Sequence, residues 1–360
     1  MTQLRIGLMG CGLVALGVHL RNLRRHSRLR LVALADRDHL RRERAHGMAP
    51  SARVFDDPYG LLQLPDVDAV IVGVPYEEHA TAAIAALSSG KHVYLEKPFA
   101  TDPDEAGRIL AESLRSDRVL MVGFNYRFHP FHRQMRDAIR SGAIGEVLDL
   151  RSAFHFSRQV GVDWQLTRHG SFGALFDIAP HHIDLTRFLL DAEVSEVAAK
   201  ARSLNSHQDN IHLQLVMSTG VLVHCSFALQ TAATATVVVS GSNGRLAVDL
   251  YRSHGVEFSP GFPSGQGGWL GRHAARRSLP VRGLHLIEKL RSPWQEPSFL
   301  GCLNHFAAAV EAGEVSSPDA WDGYCNQQVI AAALESLRSG ASVAVPPAIR
   351  PAASTTDGPR

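Results

Sequence analysis

A lysine at the end of a strand is the first candidate for chemistry. Lys97 lies in the segment Glu-Lys-Pro-Phe at residues 96–99, directly after an apolar run that ends at Leu95. Only four of the 37 lysine and arginine residues are lysines, so the basic surface is built mainly from guanidinium groups. Arginine keeps its charge, whereas a lysine with a shifted pKa can take part in proton transfer. Lys97 is therefore a candidate catalyst.

A glycine-rich segment near the N-terminus has the spacing of the dinucleotide-binding fingerprint G-x-G-x-x-G/A. It consists of Gly10, Cys11, Gly12, Leu13, Val14 and Ala15. The first glycine makes a tight turn, the second lets the backbone approach a pyrophosphate, and the small third residue allows close helix packing. The N–H groups and the dipole of a helix N-terminus favour the phosphates. An ordinary strand-to-helix turn is the alternative interpretation.

Asp36 strengthens the nucleotide interpretation, because it ends the next predicted strand. A carboxylate at that position can accept hydrogen bonds from the adenosine ribose hydroxyls, which an ordinary turn would not require. It would also repel a ribose 2′-phosphate, so NAD is favoured as the cofactor. The neighbouring Arg37 leaves NADP possible.

Two further strand ends extend the predicted cofactor site. Gly73, Val74 and Pro75 follow an apolar strand, and chain that leaves the carboxyl end of a parallel strand borders the ligand crevice. His79 either touches the cofactor or caps and packs the following helix. Glu96 and Lys97, after the next strand, complete the predicted cofactor contacts.

Two patterns of apolar and polar residues along the chain predict the strands and helices that must position these residues. Predicted strands cover 5–9, 31–35, 68–74, 93–95 and 119–122, and helices start near 13 and cover 78–88 and 102–113. Alternating strands and helices, with strands that are apolar throughout, indicate an α/β doubly wound Rossmann domain, which we place at residues 1–123.

After about residue 124 the strands become longer and alternate in polarity. They are predicted at 147–156, 194–203, 210–217, 221–229, 234–240 and 245–250, with helices at 131–141, 173–190, 299–312 and 324–339. This pattern predicts an α+β domain at residues 124–345 with a mostly antiparallel open sheet, for substrate binding and oligomerisation. Residues 251–296 are predicted to form a loop-rich insertion, and 346–360 a disordered tail.

Composition excludes several classes of function. A chain of 360 residues with 45% hydrophobic residues can form two globular domains. The net charge is +2, and the arginine-rich segments 21–30 and 41–44 contain no aromatic residues, so nucleic-acid binding is not expected. Scattered cysteines predict buried free thiols, and the spacing of the histidines predicts no metal site. The chain shows no leader pattern or apolar stretch of membrane-spanning length, which favours a cytoplasmic protein without a membrane partner.

Taken together, the motifs resemble the glucose–fructose oxidoreductase / inositol 2-dehydrogenase (Gfo/Idh/MocA) family. The resemblance rests on the glycine fingerprint, Asp36, Pro75 with His79, and the segments 90–93, 96–98, 125–128, 142–146 and 177–184. It covers residues 1–250 and resumes weakly at 306–337. It implies a Rossmann domain joined to an open antiparallel α/β domain, nicotinamide-dependent hydride transfer on sugars or cyclitols, and homodimers or homotetramers.

The resemblance also implies the catalytic residues. Asp177 precedes His181 by four residues, and on a helix these positions share one face. Oxidation of a secondary alcohol needs a group that takes the hydroxyl proton. The resemblance assigns this role to Lys97 and His181. We expect His181 to accept the proton, Lys97 to polarise the oxygen and contact the nicotinamide, and Asp177 to orient the substrate and tune the imidazole.

Other residues of the predicted substrate site have two interpretations. Arg127 either holds the interdomain crevice closed or binds substrate hydroxyls. Trp164 and Arg168 could line the substrate pocket, because an indole face suits the C–H face of a sugar, whereas packing is the alternative for Trp164. His182 and Asp184 are expected to be structural, with Asp184 bonding to backbone or to Arg187.

The leading functional interpretation is an NAD-dependent dehydrogenase that interconverts a secondary alcohol and a ketone on a sugar, amino sugar or cyclitol. Two alternatives use the same fold. One is redox-neutral glycoside cleavage or epimerisation through a transient keto intermediate. The other is a non-catalytic cofactor-binding regulator.

Overall fold

The computed structural model describes residues 3–157, 173–203, 209–261, 277–279, 289–315 and 317–351. Contacts between Cα atoms divide the chain into two compact units. The first unit contains residues 1–125, 288–327 and 348–360, and the second contains residues 126–287 and 328–347. The chain therefore returns to the first unit after it has built most of the second. No helix in the described ranges has the length and apolar character that crossing a membrane requires.

The first unit is built on a parallel sheet. Within the described residues its strands lie in the order β3-β2-β1-β4-β5-β6. They are β1 (Leu4–Met9), β2 (Leu29–Ala35), β3 (Arg53–Phe55), β4 (Ala69–Val72), β5 (His92–Leu95) and β6 (Leu120–Val122). All the pairings are parallel, as the apolar strands predicted. The doubly wound prediction is confirmed, although the short, mostly exposed β3 was missed because it has no apolar run.

Helices surround this sheet. They are a π-helical turn (Ala15–His19), α1 (Leu20–Leu23), α2 (His39–Met48), α3 (His79–Ser88) and α4 (Pro103–Arg115). Local sequence explains where α4 begins, because the Asp102 side chain accepts a hydrogen bond from Glu105 N and Pro103 occupies the first turn. Within the described residues, 3₁₀ turns lie at Pro58–Gln63, at Tyr76–Glu78, at Asn125–Phe128, which passes into the second unit, and at Pro293–Gln295. The last of the four 3₁₀ turns is followed by α8 (Ser298–Ala312).

The second unit is built on a mixed, mostly antiparallel sheet. Within the described residues its strands lie in the order β14-β13-β12-β11-β7-β10-β9-β8-β15. They are β7 (Val147–Ser157), β8 (Val194–Arg202), β9 (Asn210–Met217), β10 (Leu222–Ala228), β11 (Gln230–Gly241), β12 (Gly244–Asp249), β13 (Val256–Pro260), β14 (Arg277–Leu279) and β15 (Val343–Ala344). The β7–β10 pair is parallel, and the others are antiparallel. The strand β9 shows the pattern that predicted it, since every second side chain is buried.

The helices of the second unit cover one face of this sheet and form its core. They are α5 (Pro130–Arg140), α6 (Gly173–Asp177) and α7 (Ala179–Leu190), and α9 (Ala320–Ser339) contributes its later residues. The core of this unit includes Phe131, Ile183, Leu215, Phe227 and Ile330.

One prediction about this region is wrong. The predicted single helix 173–190 is two helices, α6 and α7, separated at Ile178. Pro180 lies in the first turn of α7, and its ring prevents the normal helical bond to the preceding turn. The predicted loop-rich insertion 251–296 contains β13, β14 and a 3₁₀ turn within its described part. Of the predicted tail, residues 352–360 lie outside the described residues, and Arg350 forms an ion pair with Asp319.

Candidate active site

The carboxyl ends of β1, β2, β4 and β5 carry the predicted cofactor residues. Gly10 follows β1 with φ = 93°, and a Cβ atom there would lie 2.5 Å from Gly73 O. Only glycine therefore allows the backbone after β1 to pass so close to the backbone after β4. Gly73 N donates to Met9 O over 2.8 Å, which fixes this approach.

Gly12 has a different environment. Within the described residues, a Cβ atom built on Gly12 would meet no heavy atom within 4 Å, and the neighbouring Leu13 side chain is 69% exposed. The glycine is therefore not required by internal packing. A residue without a side chain beside open space is what backbone approach to a pyrophosphate needs, so the fingerprint residues fit NAD.

Asp36 has a bonding role that its sequence position did not reveal. The Asp36 side chain is nearly buried, Oδ2 accepts from Cys11 N over 2.7 Å, and Oδ1 accepts from Asp38 N over 2.8 Å. An ionised carboxylate has about four acceptor sites, so these bonds leave acceptor capacity for ribose hydroxyls. Asp36 therefore also fixes the glycine turn.

Arg37 and His79 are held by other residues of the first unit. The Arg37 guanidinium donates to Glu78 Oε1 over 3.0 Å, and both side chains are partly exposed. His79 is 2% exposed, with Nδ1 2.7 Å from Pro98 O and Nε2 3.1 Å from Val74 O. Burial lowers the pKa of His79, whereas the hydrogen bonds to the Pro98 and Val74 carbonyls act in the opposite direction. His79 thus bridges the loop after β4 and the loop after β5.

Lys97 lies half-buried just beyond β5, next to a buried carboxylate. Glu96 Oε1 lies 2.7 Å from His19 Nε2, and both side chains are almost completely buried. Burial raises the pKa of Glu96, but the hydrogen bond from His19 and the charges of His19 and Lys97 outweigh it and lower the pKa overall. A negative charge is therefore held beside Lys97. The role of His19 was missed, because no local pattern links it to a residue 77 positions away.

In the second unit, Asp177 and His181 lie on either side of the helix break. Both are half-buried, Asp177 ends α6, and His181 lies in the first turn of α7. Their relation is therefore not that of i and i+4 on a continuous helix. The His181 ring stacks on Tyr126, with ring centroids 5.0 Å apart and an interplanar angle of 26°. Tyr126 belongs to the segment 125–128 that carried the resemblance, but no role was predicted for it.

Arg127 is buried in an ion pair. Its Nε and Nη2 atoms donate to the two carboxylate oxygens of Asp184 over 2.8 and 2.5 Å. Arg187 contributes a weaker contact to Asp184 at 3.8 Å and donates to Glu193 over 2.5 and 2.7 Å. The structural role expected for Asp184 is met mainly by Arg127.

His182, the neighbour of His181, points into the core. Its Nδ1 lies 2.6 Å from Ser152 Oγ, and burial, with a smaller effect from His132, lowers its pKa to about 3. The imidazole is therefore neutral across the physiological pH range. Two adjacent histidines thus differ in environment, since His181 is half-buried and His182 is buried.

Some predictions concern thiols, metals and the substrate loop. All four cysteines are free and buried, as predicted, and burial raises the pKa of Cys11 and of Cys225 to about 12. Among the described residues no group of three or more His, Cys, Asp or Glu side chains is arranged to hold a metal ion. Trp164 and Arg168 lie outside the described residues.

Comparison with known proteins assigns the family. Residues 4–124 match the model of an oxidoreductase family with an NAD-binding Rossmann fold, and residues 132–247 match that of the GFO/IDH/MocA C-terminal domain. The chain belongs to the Gfo/Idh/MocA oxidoreductase family. The resemblance deduced from the motifs is confirmed, and so are the fold, the class of enzyme and the nicotinamide cofactor.

Members of the Gfo/Idh/MocA family with curated names are similar over almost the whole chain. Inositol 2-dehydrogenase 2 of Saccharopolyspora erythraea is 31% identical over 361 residues, which is 97% of each chain. Inositol 2-dehydrogenase of Acidothermus cellulolyticus is 31% identical over 359 residues, which is 96% of each chain. Among solved structures, the oxidoreductase domain protein of Kribbella flavida is 26% identical with a TM-score of 0.80, over 96% of this chain and 100% of the other.

Proposed function

We propose that the protein oxidises a secondary hydroxyl of a cyclitol, or of a sugar with a similar array of hydroxyls, to a ketone with NAD. The names of the relatives in the Gfo/Idh/MocA family support a cyclitol as the first choice. The observation that carries the proposal is the environment of Lys97, one of only four lysines, which follows a buried carboxylate in the chain. Lys97 lies at the carboxyl end of β5, at the same edge of the parallel sheet as the glycine fingerprint after β1. In doubly wound sheets this edge is where the nucleotide binds.

The proposed roles of the residues follow from their chemistry. His181 accepts the hydroxyl proton, Lys97 donates a hydrogen bond to the same oxygen and stabilises charge that develops on it, and Asp177 orients a neighbouring hydroxyl. NAD, when bound, accepts the hydride. The Tyr126 ring holds the imidazole of His181 in one plane by stacking. We propose that residues 1–123 bind the cofactor and that residues 124–345 carry most of the substrate site.

NAD is the proposed preferred cofactor, with NADP as a weaker substitute. Asp36 presents a carboxylate to the ribose, which would repel a 2′-phosphate. Arg37 is the side chain that could neutralise such a phosphate, but it is paired with Glu78. The positive charge of Arg37 is therefore already partly compensated by Glu78.

A turnover screen tests the proposal. NADH formation would be followed at 340 nm with inositols, amino-cyclitols, hexoses and sugar nucleotides, each with NAD and with NADP. We expect steady accumulation of NADH with at least one cyclitol or sugar. Products that form without NADH accumulation would indicate the redox-neutral alternative, and tight NAD binding without turnover of any compound would favour a regulator.

Two pairs of variants test the residue roles. Lys97→Met and His181→Asn should lower kcat by a factor of about 100 or more, as expected for the loss of a general acid or base, while NAD binding persists. Lys289→Met and His39→Asn are matched controls, because Lys289 is half-buried like Lys97 and the His39 side chain is 68% exposed, and they should keep normal kcat. Near-normal turnover by Lys97→Met or His181→Asn would remove that residue from the mechanism.

The proposed setting is the cytoplasm, with the protein as a homodimer or homotetramer. Buried free thiols are typical of reducing compartments. A groove of about 460 Å³ on the second unit's sheet contains Ala153, Ala198 and Val238 as well as polar side chains, and could seat a second copy. Analytical ultracentrifugation of the purified protein tests the assembly, and a single monomeric species at micromolar concentration would contradict it.

A further inference from the structure

Two buried histidines from different elements of the first unit bond to the residues on either side of Lys97. His19, at the end of the π-helical turn, reaches Glu96, and His79, at the start of α3, reaches Pro98. Glu96 and Pro98 are the sequence neighbours of Lys97, so the lysine backbone is held from both sides. We call His19, Glu96, His79 and Pro98 the lysine bracket.

On the first side of the lysine bracket, the bond is between an imidazole and a carboxylate. The ionised Glu96 carboxylate can only accept, so His19 donates through Nε2–H over 2.7 Å. The side chains are 1% and 8% exposed, where a displaced carboxylate could not be compensated by water. The His19 ring also packs edge-on against Tyr94, with ring centroids 5.5 Å apart. His19 therefore fixes the position of the negative charge that acts on Lys97.

On the second side, the bond is between an imidazole and a backbone carbonyl. The Pro98 carbonyl can only accept a hydrogen bond, so the 2.7 Å contact places an N–H on Nδ1 of His79. The bonded carbonyl belongs to the residue directly after Lys97. A shift of the His79 ring would therefore move the chain that carries the lysine.

We propose that His19 and His79 are positioning residues for Lys97, His19 through Glu96 and His79 through the Pro98 carbonyl. The inference rests on the proposed function, in which Lys97 acts on the substrate oxygen. Neither histidine is assigned a contact with substrate or cofactor. Both histidines act on the position of the Lys97 amine, and His19 also fixes the position of the Glu96 charge. Misplacement of a catalytic group by about 1 Å can lower the rate by a factor of about 100.

The scarcity of lysine allows a direct measurement of the amine. Protein labelled with ¹³C at lysine Cε should give four signals, and Lys97→Arg identifies the one from Lys97. Lys91 gives an internal reference, because its Nζ donates to Leu64 O and Val67 O, each over 2.8 Å, away from the lysine bracket. The measurement needs neither substrate nor turnover.

His19→Leu and His79→Leu remove the two bonds, and each has a conservative partner. His19→Gln keeps an N–H donor in place of Nε2–H, and His79→Asn keeps one in place of Nδ1–H. In the Leu variants we expect the Lys97 signal to move while the Lys91 signal stays, and kcat with the best substrate of the screen to fall about 10-fold or more, in line with a misplaced group. The dissociation constant for NAD should change less than about 3-fold, and the Gln and Asn variants should recover most of the loss.

His26→Leu is the matched control for loss of a buried histidine. His26 is 7% exposed, and its Nδ1 accepts from Arg28 N and Leu29 N, on residues outside the lysine bracket. This variant should lose stability but keep the Lys97 signal and kcat. If a Leu variant does not fold, Glu96→Gln keeps the shape of the side chain, removes its charge, and should also move the Lys97 signal.

The outcomes separate this inference from the proposed function. An unchanged Lys97 signal and normal kcat in His19→Leu and His79→Leu would overturn the inference, even if Lys97→Met is inactive. An active Lys97→Met variant would overturn the proposed function, whatever the histidine variants do. Equal losses in the Leu variants and their conservative partners would assign the histidines a purely structural role and overturn the inference.

Discussion

The surroundings of Lys97 in the first unit and of His181 in the second are built from different interactions. Lys97 is flanked by Glu96 and Pro98, and each of these accepts a hydrogen bond from a buried imidazole. His181 lies against the face of the Tyr126 ring, at the start of a helix that follows a break. The first arrangement contains two directional hydrogen bonds, and the second contains a stacked aromatic ring.

The difference matches the task proposed for each group. A charged amine is stabilised by a fixed counter-charge, and Glu96 holds a negative charge in a buried position at the neighbouring residue. An imidazole that accepts and releases a proton must keep its orientation, and stacking on an aromatic face restrains the plane of the ring. The second unit also contains a buried ion pair, between Arg127 and Asp184, and Asp184 lies in α7, the helix that carries His181.

Breaking the Arg127–Asp184 pair should have the largest effect. Asp184 is completely buried, and Arg127→Met removes the bidentate partner of its carboxylate while the 3.8 Å contact to Arg187 remains, so we expect a loss of about 3–5 kcal/mol in the free energy of unfolding. Urea unfolding monitored by circular dichroism measures the loss. The double variant Arg127→Met/Asp184→Leu should recover much of it, because no buried charge remains.

Arg28 and Glu311 provide a matched control in the first unit. They form the same two-bond pairing, over 2.9 and 2.8 Å, but their side chains are 30% and 41% exposed. Solvent screens this pair, so Arg28→Met should cost much less than Arg127→Met. Similar losses for Arg28→Met and Arg127→Met would show that burial does not determine the strength of the pair in the second unit.

The second prediction concerns acid stability and His182. Burial lowers the pKa of His182 from 6.5 to about 3, so between these values the unfolded chain binds a proton that the folded chain does not. The stability that the folded protein owes to a neutral His182 is fully present above pH 6.5 and is lost as the pH falls. At pH 4.5 this loss in the free energy of unfolding is roughly 2–3 kcal/mol. His182→Asn keeps a polar atom near Ser152 and removes the titration.

The measurement is the difference in unfolding free energy between wild type and His182→Asn at pH 7.5 and pH 4.5. Burial also lowers the pKa of His26, His79, His92 and His155, so both proteins should lose stability in acid. The wild type should lose more. Equal losses of unfolding free energy in the two proteins between pH 7.5 and pH 4.5 would mean that His182 is protonated in the folded state at pH 4.5.

The sequence predicted the parts of this fold that depend on nearby residues. Continuous apolar runs identified the parallel strands of the first unit, and strict alternation identified β9 and its neighbours. The break between α6 and α7 was missed although Pro180 indicated it, because the apolar pattern continues across the break. The bonds of Asp36 to Cys11 and of His19 to Glu96 join residues 25 and 77 positions apart, and only the folded chain brings these partners together.

A third prediction separates cofactor binding from backbone strain at the two fingerprint glycines. Gly12→Ala adds a methyl group to open space, so the thermal unfolding midpoint of the free protein should not change. If the pyrophosphate approaches this backbone, the affinity for NAD should fall about 10-fold, equivalent to about 1.4 kcal/mol. Gly10→Ala should instead lower the unfolding free energy by about 1–3 kcal/mol, because φ is 93° and the methyl group would press on Gly73 O. Calorimetric titration with NAD measures the first effect, and unchanged affinity in Gly12→Ala would place the pyrophosphate elsewhere.

The smallest expected effect concerns Tyr126. Its ring stacks on His181 at 5.0 Å and meets His182 edge-on at 5.4 Å, so it restrains the proposed proton acceptor by packing. Aromatic pairs contribute about 0.5–1.5 kcal/mol beyond their buried area, so Tyr126→Leu should lower kcat about 3-fold to 10-fold. Tyr126→Phe keeps the ring and should stay within about 2-fold of wild type, since the stacking energy is retained. Equal losses of kcat in Tyr126→Leu and Tyr126→Phe would show that the hydroxyl of Tyr126, and not its ring, supports His181. His181 would then be held by a polar interaction, as the residues around Lys97 are.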